Sequence, residues 1–283
     1  MGVLPAKTPS RVSEWLGDRE RASLRLGRPQ RGIPSAVYPP PDPSRLALID
    51  RHLDATVRKL LQHDHRTARL RVQVRFDQGV AHLTGDVDSH DELMLLRGLI
   101  GQVAGVHGVW DRVRVAGREP VILDLGCGDT VQYQTNIGVD CRPADGVAVI
   151  ADLCAGLPFA DNSVDQVFTI HVLEHLLDYL PLLDECHRVL RPHGVLHLMA
   201  PWWRHVNAVA DPTHLRLFDP QTIKGICMRM DGAPGWQPLH VSCDGASVLA
   251  DLAPVNGARR EVDDLVMARF FAWSLAMSSS RIF

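Results

Sequence analysis

Val121-Ile-Leu-Asp-Leu-Gly-Cys-Gly128 decides the fold. Its apolar residues read as a buried strand interrupted only by Asp124, and the strand runs into a turn with Gly126 and Gly128 flanking Cys127. Glycines at these two places permit a tight turn and a close approach of backbone to a ligand. A second strand over residues 136–139 ends in Asp140, whose carboxylate is placed to accept hydrogen bonds from both hydroxyls of a ribose. A lone GxG turn is weak evidence, and the downstream succession of elements strengthens the reading. A third strand over 147–152 leads to LPFADNSVD (157–165), a buried strand (166–170), HVLEH (171–175), a helix to Leu190, the turn RPHG (191–194) and a strand over 195–200. Alternating strands and helices of this kind build a mostly parallel sheet with ligands at the strand ends. Beyond Pro220 the sequence predicts a helix over 221–230, a pair of strands between Trp236 and Val255, and an apolar segment over 263–277 that periodicity leaves open as helix or strand.

This succession resembles the class I S-adenosylmethionine-dependent methyltransferases over about residues 120–220, in particular a short type 11-like group with HVLEH and DPTH motifs. The resemblance implies a Rossmann-like sheet. It also implies that Asp124 and the turn Gly126, Cys127 and Gly128 face the methionine part of the cofactor, Asp140 the ribose, Asp152 with Leu153 the adenine, and that His171 lines the pocket. One departure stands out. Such enzymes have a third glycine and a full helix between the first two strands, whereas here Asp129-Thr130 follows Gly128 and the second strand begins too soon for a three-turn helix of about eleven residues. Another segment must close that end of the pocket, with the N-terminal arm and the N-terminal domain as candidates.

Methyl transfer from a sulfonium needs a nucleophile held in line and deprotonated, so a base or a metal is wanted beside the methyl group. His171, Glu174 and His175 have i, i+3, i+4 spacing, which on a helix puts three side chains on one face. Asp211-Pro-Thr-His214 follows the next strand, near Trp202, Trp203, His205 and Phe218. HxxEH with a later His resembles the metal centres of small-RNA 2′-O-methyltransferases and, less fully, ubiquinone-pathway O-methyltransferases, which usually have Glu where His171 stands. The resemblance implies His171, Glu174, His175 and His214 as metal ligands, and three imidazoles with one carboxylate suit Zn, Fe or Mn better than Mg. A metal-free base, His171, His175 or His214, and a purely structural role are the alternatives. Trp202, Trp203 and Trp236 are either core or the walls of a pocket for a planar acceptor. His187, His193 and His197 are given no role.

N-terminal to this region, residues 1–42 are rich in Arg, Pro and Ser and read as a flexible arm with a short helix near 12–16, closed by YPPPDP. Ser44 is a candidate cap for a helix with Leu46, Ile49, Leu53, Val57, Leu60 and Leu61 on one face. Two alternating strands, 70–76 and 80–87, meet at the turn Asp77-Gln78-Gly79. Ser89-His90-Asp91-Glu92 is a capping box before a helix with Leu93, Leu96, Ile100 and Val103 inward, and a strand over 109–115 completes the order αββαβ. GVAHLTGDVDSHDE (79–92) and GVHGVWDRVRV (105–115) resemble the BON domain, a module known mostly from exported, membrane-associated proteins and thought to bind lipid or ligands. Without an export signal, scaffolding or dimerisation is the expected role here.

Composition bounds the partners. With 46% hydrophobic and 22% charged residues, and no apolar run of roughly 18, the chain reads as soluble and globular. A net charge of −3 argues against nucleic acid as the partner. Six scattered cysteines without a CxxC pair fit reduced thiols in the cytoplasm, and Lys only at positions 7, 59 and 224 fits a GC-rich bacterial genome. The expected organisation is an arm over 1–42, an independently folding α+β BON-like domain over 43–117 with a capacity for homo-oligomer formation, and an α/β methyltransferase domain over 119–283. The expected function is methylation of a small-molecule acceptor, an O-methylation assisted by a divalent metal. The alternatives are another S-adenosylmethionine-using or metal-centred enzyme on the same fold, and a non-catalytic cofactor-binding scaffold or regulator.

Overall fold

The computed structural model describes residues 43–229, 233–255 and 270–271; the arm over 1–42 and most of the apolar segment 263–277 lie outside the described residues. The first part of the chain runs α1 (Pro43–His63), β1 (Arg71–Asp77), β2 (Val80–Val87), α2 (His90–Gly101), β3 (Gly108–Val115). β1 pairs antiparallel with β2, and β2 pairs parallel with β3 across the α2 crossover. Leu53, Val57, Leu83, Leu96, Ile100 and Val113 form its core. The inward face of α1 is narrower than expected, since Ile49 is exposed, and Pro43 already lies in the helix, so Ser44 sits inside the first turn. At the β1–β2 turn Gln78 and Gly79 both have positive φ, and Asp50 of α1 accepts hydrogen bonds from both of their N–H groups. Ser89 caps α2 by accepting from Glu92 N, while the Glu92 carboxylate reaches back to Asp88 N instead of Ser89 N.

The second part has a seven-stranded sheet ordered β6-β5-β4-β7-β8-β10-β9. Its strands are β4 (Ile122–Leu125), β5 (Ile137–Asp140), β6 (Val149–Ile150), β7 (Val164–Ile170), β8 (Leu190–Pro201), β9 (Gly235–Cys243) and β10 (Ser247–Val255). The first five are parallel; β10 runs antiparallel to β8, and β9 to β10. Helices α3 (Leu180–Val189), α4 (Asn207–Ala210) and α5 (Pro220–Cys227) accompany the sheet. RPHG does not form a separate turn, because residues 191–194 are part of β8, whose register against β7 shifts between Val164 and Gln166. No helix lies between β4 and β5.

A parallel sheet needs cover on both faces. Successive strand residues point to opposite faces, and one set, including Leu123, Leu125, Val167, Leu196, Leu198, Val248, Ala250 and Leu252, packs in the main core with Leu182 and Leu183 of α3 and Ile223 and Ile226 of α5. The other set includes Ile122, Phe168 and Leu249, and these pack against Val80 of β2 and Trp110 of β3. The BON-like sheet therefore covers the second face.

Polar residues join the two sheets. Arg97 of α2 donates to Asp111 Oδ2 of β3 through Nε (2.8 Å) and Nη2 (2.5 Å), and Gln166 Nε2 of β7 donates to Asp111 Oδ1 (3.1 Å). The Gln166 carbonyl faces His197 Nε2 of β8 (3.2 Å), His197 Nδ1 meets Asp251 Oδ1 of β10 (2.7 Å), and Asp251 Oδ2 accepts from Val109 N of β3 (2.9 Å). Both nitrogens of His197 are thus engaged, one by each neighbouring strand. Burial alone would raise the Asp251 carboxyl, but the His197 charge and hydrogen bond, the His240 charge and the Val109 N–H outweigh it and hold Asp251 below the usual carboxylate range. His187 and His193 have structural settings of their own, His187 edge-on to Trp236 and His193 stacked on His90. No described helix is long and apolar enough to cross a membrane.

A carboxyl whose folded-state pKa is lowered stabilises above its unfolded value, about 3.9, and that contribution is lost as pH falls through the folded value. Asp251→Asn is expected to cost about 3–5 kcal/mol near neutral pH, the scale of breaking a buried pair. Measured from pH 6 towards 3, the gap to wild type should hold down to about pH 4 and narrow below it. Urea unfolding across that range checks it, and a pH-independent gap would refute the assignment.

Candidate functional site

The C-terminal ends of β4 and β7, adjacent in the sheet, carry the two loops that the sequence singles out. Gly126 has φ 64°, a left-handed conformation costly for other residues, and a Cβ there would lie 2.7 Å from Val172 Cγ2. Val172 of HVLEH thus fills the space that glycine leaves open, which locks the two loops together.

Within the first loop Asp124 is buried and accepts hydrogen bonds from Gln132 N and, at 3.5 Å, Asn136 Nδ2. Burial raises its carboxyl above the usual range despite these bonds. Asp140, at the end of β5, accepts from Gly128 N and Arg142 N, both at 3.1 Å. Burial opposes its charge, but these N–H groups, the Cys141 thiol and the Arg142 charge together pull its carboxyl below the usual range. An ionised acceptor therefore stands beside the Gly126–Gly128 turn. The Cys127 thiol turns towards Gly146 O (3.6 Å). Farther along, Asp152 caps its own turn through Cys154 N (2.9 Å), and Leu153 is buried in the main core.

HVLEH does not open the helix that the spacing predicts. Leu173–His175 form one 3-10 turn, and α3 begins only at Leu180. His171 precedes that turn with φ 55°, its N–H donating to Met199 O (2.9 Å). The helical argument for placing His171, Glu174 and His175 on one face therefore fails, and a folded loop does the work. Glu174 is buried; its Oε1 pairs with His171 Nδ1 (3.1 Å), while Oε2 is buried without a hydrogen-bond partner. Glu174 O accepts from Leu215 N (2.7 Å) and Arg216 N (3.1 Å), which draws the DPTH segment against the turn. The rings of His175 and His214 come to 4.7 Å between centroids. Ligand atoms of Glu174, His175 and His214 all lie within 4.8 Å of one another, whereas His171, its side chain 46% exposed, reaches the group through Glu174. An orphaned carboxylate oxygen beside two imidazoles is a donor set that suits a divalent cation.

Thr213, part of the DPTH motif but given no role from the sequence, bridges the segments: its Oγ1 lies 3.0 Å from His175 Nδ1 and 2.7 Å from Asp211 Oδ1. Trp236 is fully buried core, which removes it from any acceptor pocket, and Trp202 packs against the same core. Trp203 is 44% exposed, with the Arg204 guanidinium 5.0 Å from its ring centroid.

Comparison with known proteins agrees with this architecture. A methyltransferase-domain family model matches residues 123–198, and a BON-domain model matches 49–117. A Mycolicibacterium smegmatis protein named as a probable S-adenosylmethionine-dependent methyltransferase is 36% identical over 104 residues, covering 31% of this chain and 40% of its own length. Malonyl-[acyl-carrier protein] O-methyltransferase 1 of Coxiella burnetii is 39% identical over 64 residues, covering 21% of this chain and 23% of its own. The chain thus spans two fifths or less of these relatives. Among solved structures, phosphoethanolamine N-methyltransferase 1 of Haemonchus contortus overlaps 56% of this chain and 45% of its own, at 19% identity and a TM-score of 0.37. The chain thus carries a BON domain followed by a methyltransferase domain.

Gly126→Ala is expected to cost about 2–3 kcal/mol in unfolding free energy, combining the left-handed penalty with the Val172 clash. Adding Val172→Ala should recover part of that loss. Equal stabilities of the single and double variants in denaturant titration would refute the interlock.

Proposed function

We propose that the protein transfers the methyl group of S-adenosylmethionine to an oxygen of a small-molecule acceptor, with a divalent metal held by Glu174, His175 and His214. The observation that carries the reading is the buried, unpartnered Glu174 Oε2 beside those two imidazoles, in the loop that Val172 ties to the Gly126–Gly128 turn. Two imidazoles and one carboxylate are a catalytic-type donor set for Zn, Fe or Mn that leaves coordination positions open. When bound, the ion supplies Lewis-acid chemistry that lowers an acceptor hydroxyl's pKa.

The chain's own residues do the rest. Asp140 binds the ribose, and the backbone of Gly126, Cys127 and Gly128, with Asp124, holds the methionine end of the cofactor. Asp152 and Leu153 are assigned to the adenine side. His171, hydrogen-bonded to Glu174 and exposed, is placed to take the acceptor's proton. Leu177, Val206, Val209, Leu215 and Leu217 stand exposed on the segments around DPTH and favour an acceptor with an apolar body. The O-methyltransferase among the similar proteins supports an oxygen acceptor. Six free cysteines support action in the cytoplasm.

Asp140→Ala should weaken adenosylhomocysteine binding by about 2–3 kcal/mol, the scale of hydrogen bonds to a charged group, in a protein that stays folded. Unchanged affinity by calorimetry would remove Asp140 from the cofactor site. For the metal, one equivalent of Zn²⁺ or Mn²⁺ should bind to stripped protein, and His214→Ala should lower that affinity at least about tenfold while leaving adenosylhomocysteine affinity intact. Stripped protein that binds neither ion, or that methylates an acceptor at the normal rate, overturns the metal assignment.

A further inference from the structure

We infer that the BON domain positions the cofactor loop, with Tyr133 as the link and His82 and Arg112 as its anchors, in place of the missing helix between β4 and β5. The inference rests on the cofactor site proposed for Asp124 and the glycine turn, and it assigns the BON domain a part in that site.

Residues 129–136 connect β4 to β5 without helix or strand. A stretch of this kind has little packing of its own and needs outside contacts to hold one shape. Its described backbone bonds are local, Thr130 N to Cys127 O (3.2 Å) and Asn136 N to Tyr133 O (2.9 Å). Towards the ligand side, Gln132 N donates to Asp124 Oδ2. Next in sequence, Tyr133 reaches the BON domain. Its hydroxyl shares a 2.6 Å hydrogen bond with His82 Nδ1 of β2, and the Arg112 guanidinium of β3 lies 4.4 Å from its ring centroid. Its ring also meets His82 and Phe168 edge-on, both at 5.8 Å.

Protonation suits the contact. Burial raises the Tyr133 hydroxyl far above its ordinary range and lowers the His82 imidazole, so a neutral phenol meets a neutral ring with one donor and one acceptor. Tyr133 thus clamps the residue next to the amide that holds Asp124. A loop free to shift would release Gln132 from Asp124 and leave that carboxylate unrestrained at the methionine end of the site.

The test uses the full chain and two readouts, hydrogen exchange at the Gln132 amide by NMR and adenosylhomocysteine affinity by calorimetry. Tyr133→Ala should speed Gln132 exchange at least about tenfold, leave the β7 amides unchanged, and weaken binding about tenfold, the scale of one lost buried hydrogen bond and its packing. His82→Ala should move both readouts the same way with less risk to folding, and His82→Asn, which keeps a polar atom near the Nδ1 position, should restore both. Restoration separates positioning from a general loss of stability. The inference is overturned if exchange and binding stay at wild-type values in His82→Ala, if exchange rises while binding does not change, or if His82→Asn fails to restore them. Wild-type protein that binds no adenosylhomocysteine would overturn the underlying cofactor assignment as well, a failure visible before any variant is made.

Discussion

One face of the methyltransferase sheet depends on a cover supplied by the BON domain. Parallel strands leave apolar residues on both sides, and in this chain α3 and α5 pack into the core on only one of them. On the other, Trp110 meets Phe168 edge-on at 5.2 Å and Val80 joins Ile122 and Leu249, so apolar burial supplies the adhesion. Arg97, Asp111, Gln166, His197 and Asp251 fix the alignment, because a buried polar group with a misplaced partner costs far more than an apolar contact out of register. The two folds recognised by separate family models thus share one interior.

The site inherits its position from this arrangement. β4 and β7 end side by side, and Val172 against Gly126 fixes their loops to each other. Glu174 then serves two ends of the site at once: its backbone oxygen holds the DPTH segment, and its side chain lies among His171, His175 and His214. Backbone strain at His171 is consistent with a loop held in shape by its surroundings.

Much of this is legible in the chain. The succession of strands along the chain, the glycine turn with Asp140 at the end of the next strand, and the αββαβ unit can be read from alternation, turn residues and capping chemistry, all local signals. The shape of HVLEH cannot, because i, i+3, i+4 spacing describes a helix only when the helix exists, and here backbone bonds to Met199 and from the DPTH segment favour a folded loop. Ligand clustering nevertheless holds for Glu174, His175 and His214 and fails for His171. The shared interface also leaves a trace that local reading passes over. His197 and Asp251 each occupy a strand position flanked by apolar residues, and a buried polar side chain there needs a partner from another strand. Likewise Tyr133, a large ring in a short turn, finds the partner for its hydroxyl only in the N-terminal unit.

The bond from Val109 N to Asp251 has a consequence for how the chain is made. It joins residues 142 positions apart, and Asp251 lies on the last described strand. During synthesis the BON domain emerges first, with its own core available but Trp110 and the Arg97–Asp111 pair waiting for a sheet that does not yet exist. The sheet is completed only when β10 slots between β8 and β9. Contacts this distant in sequence close slowly and late, so the nascent protein must carry an exposed aromatic and a half-satisfied polar cluster from the emergence of β3 until that of β10.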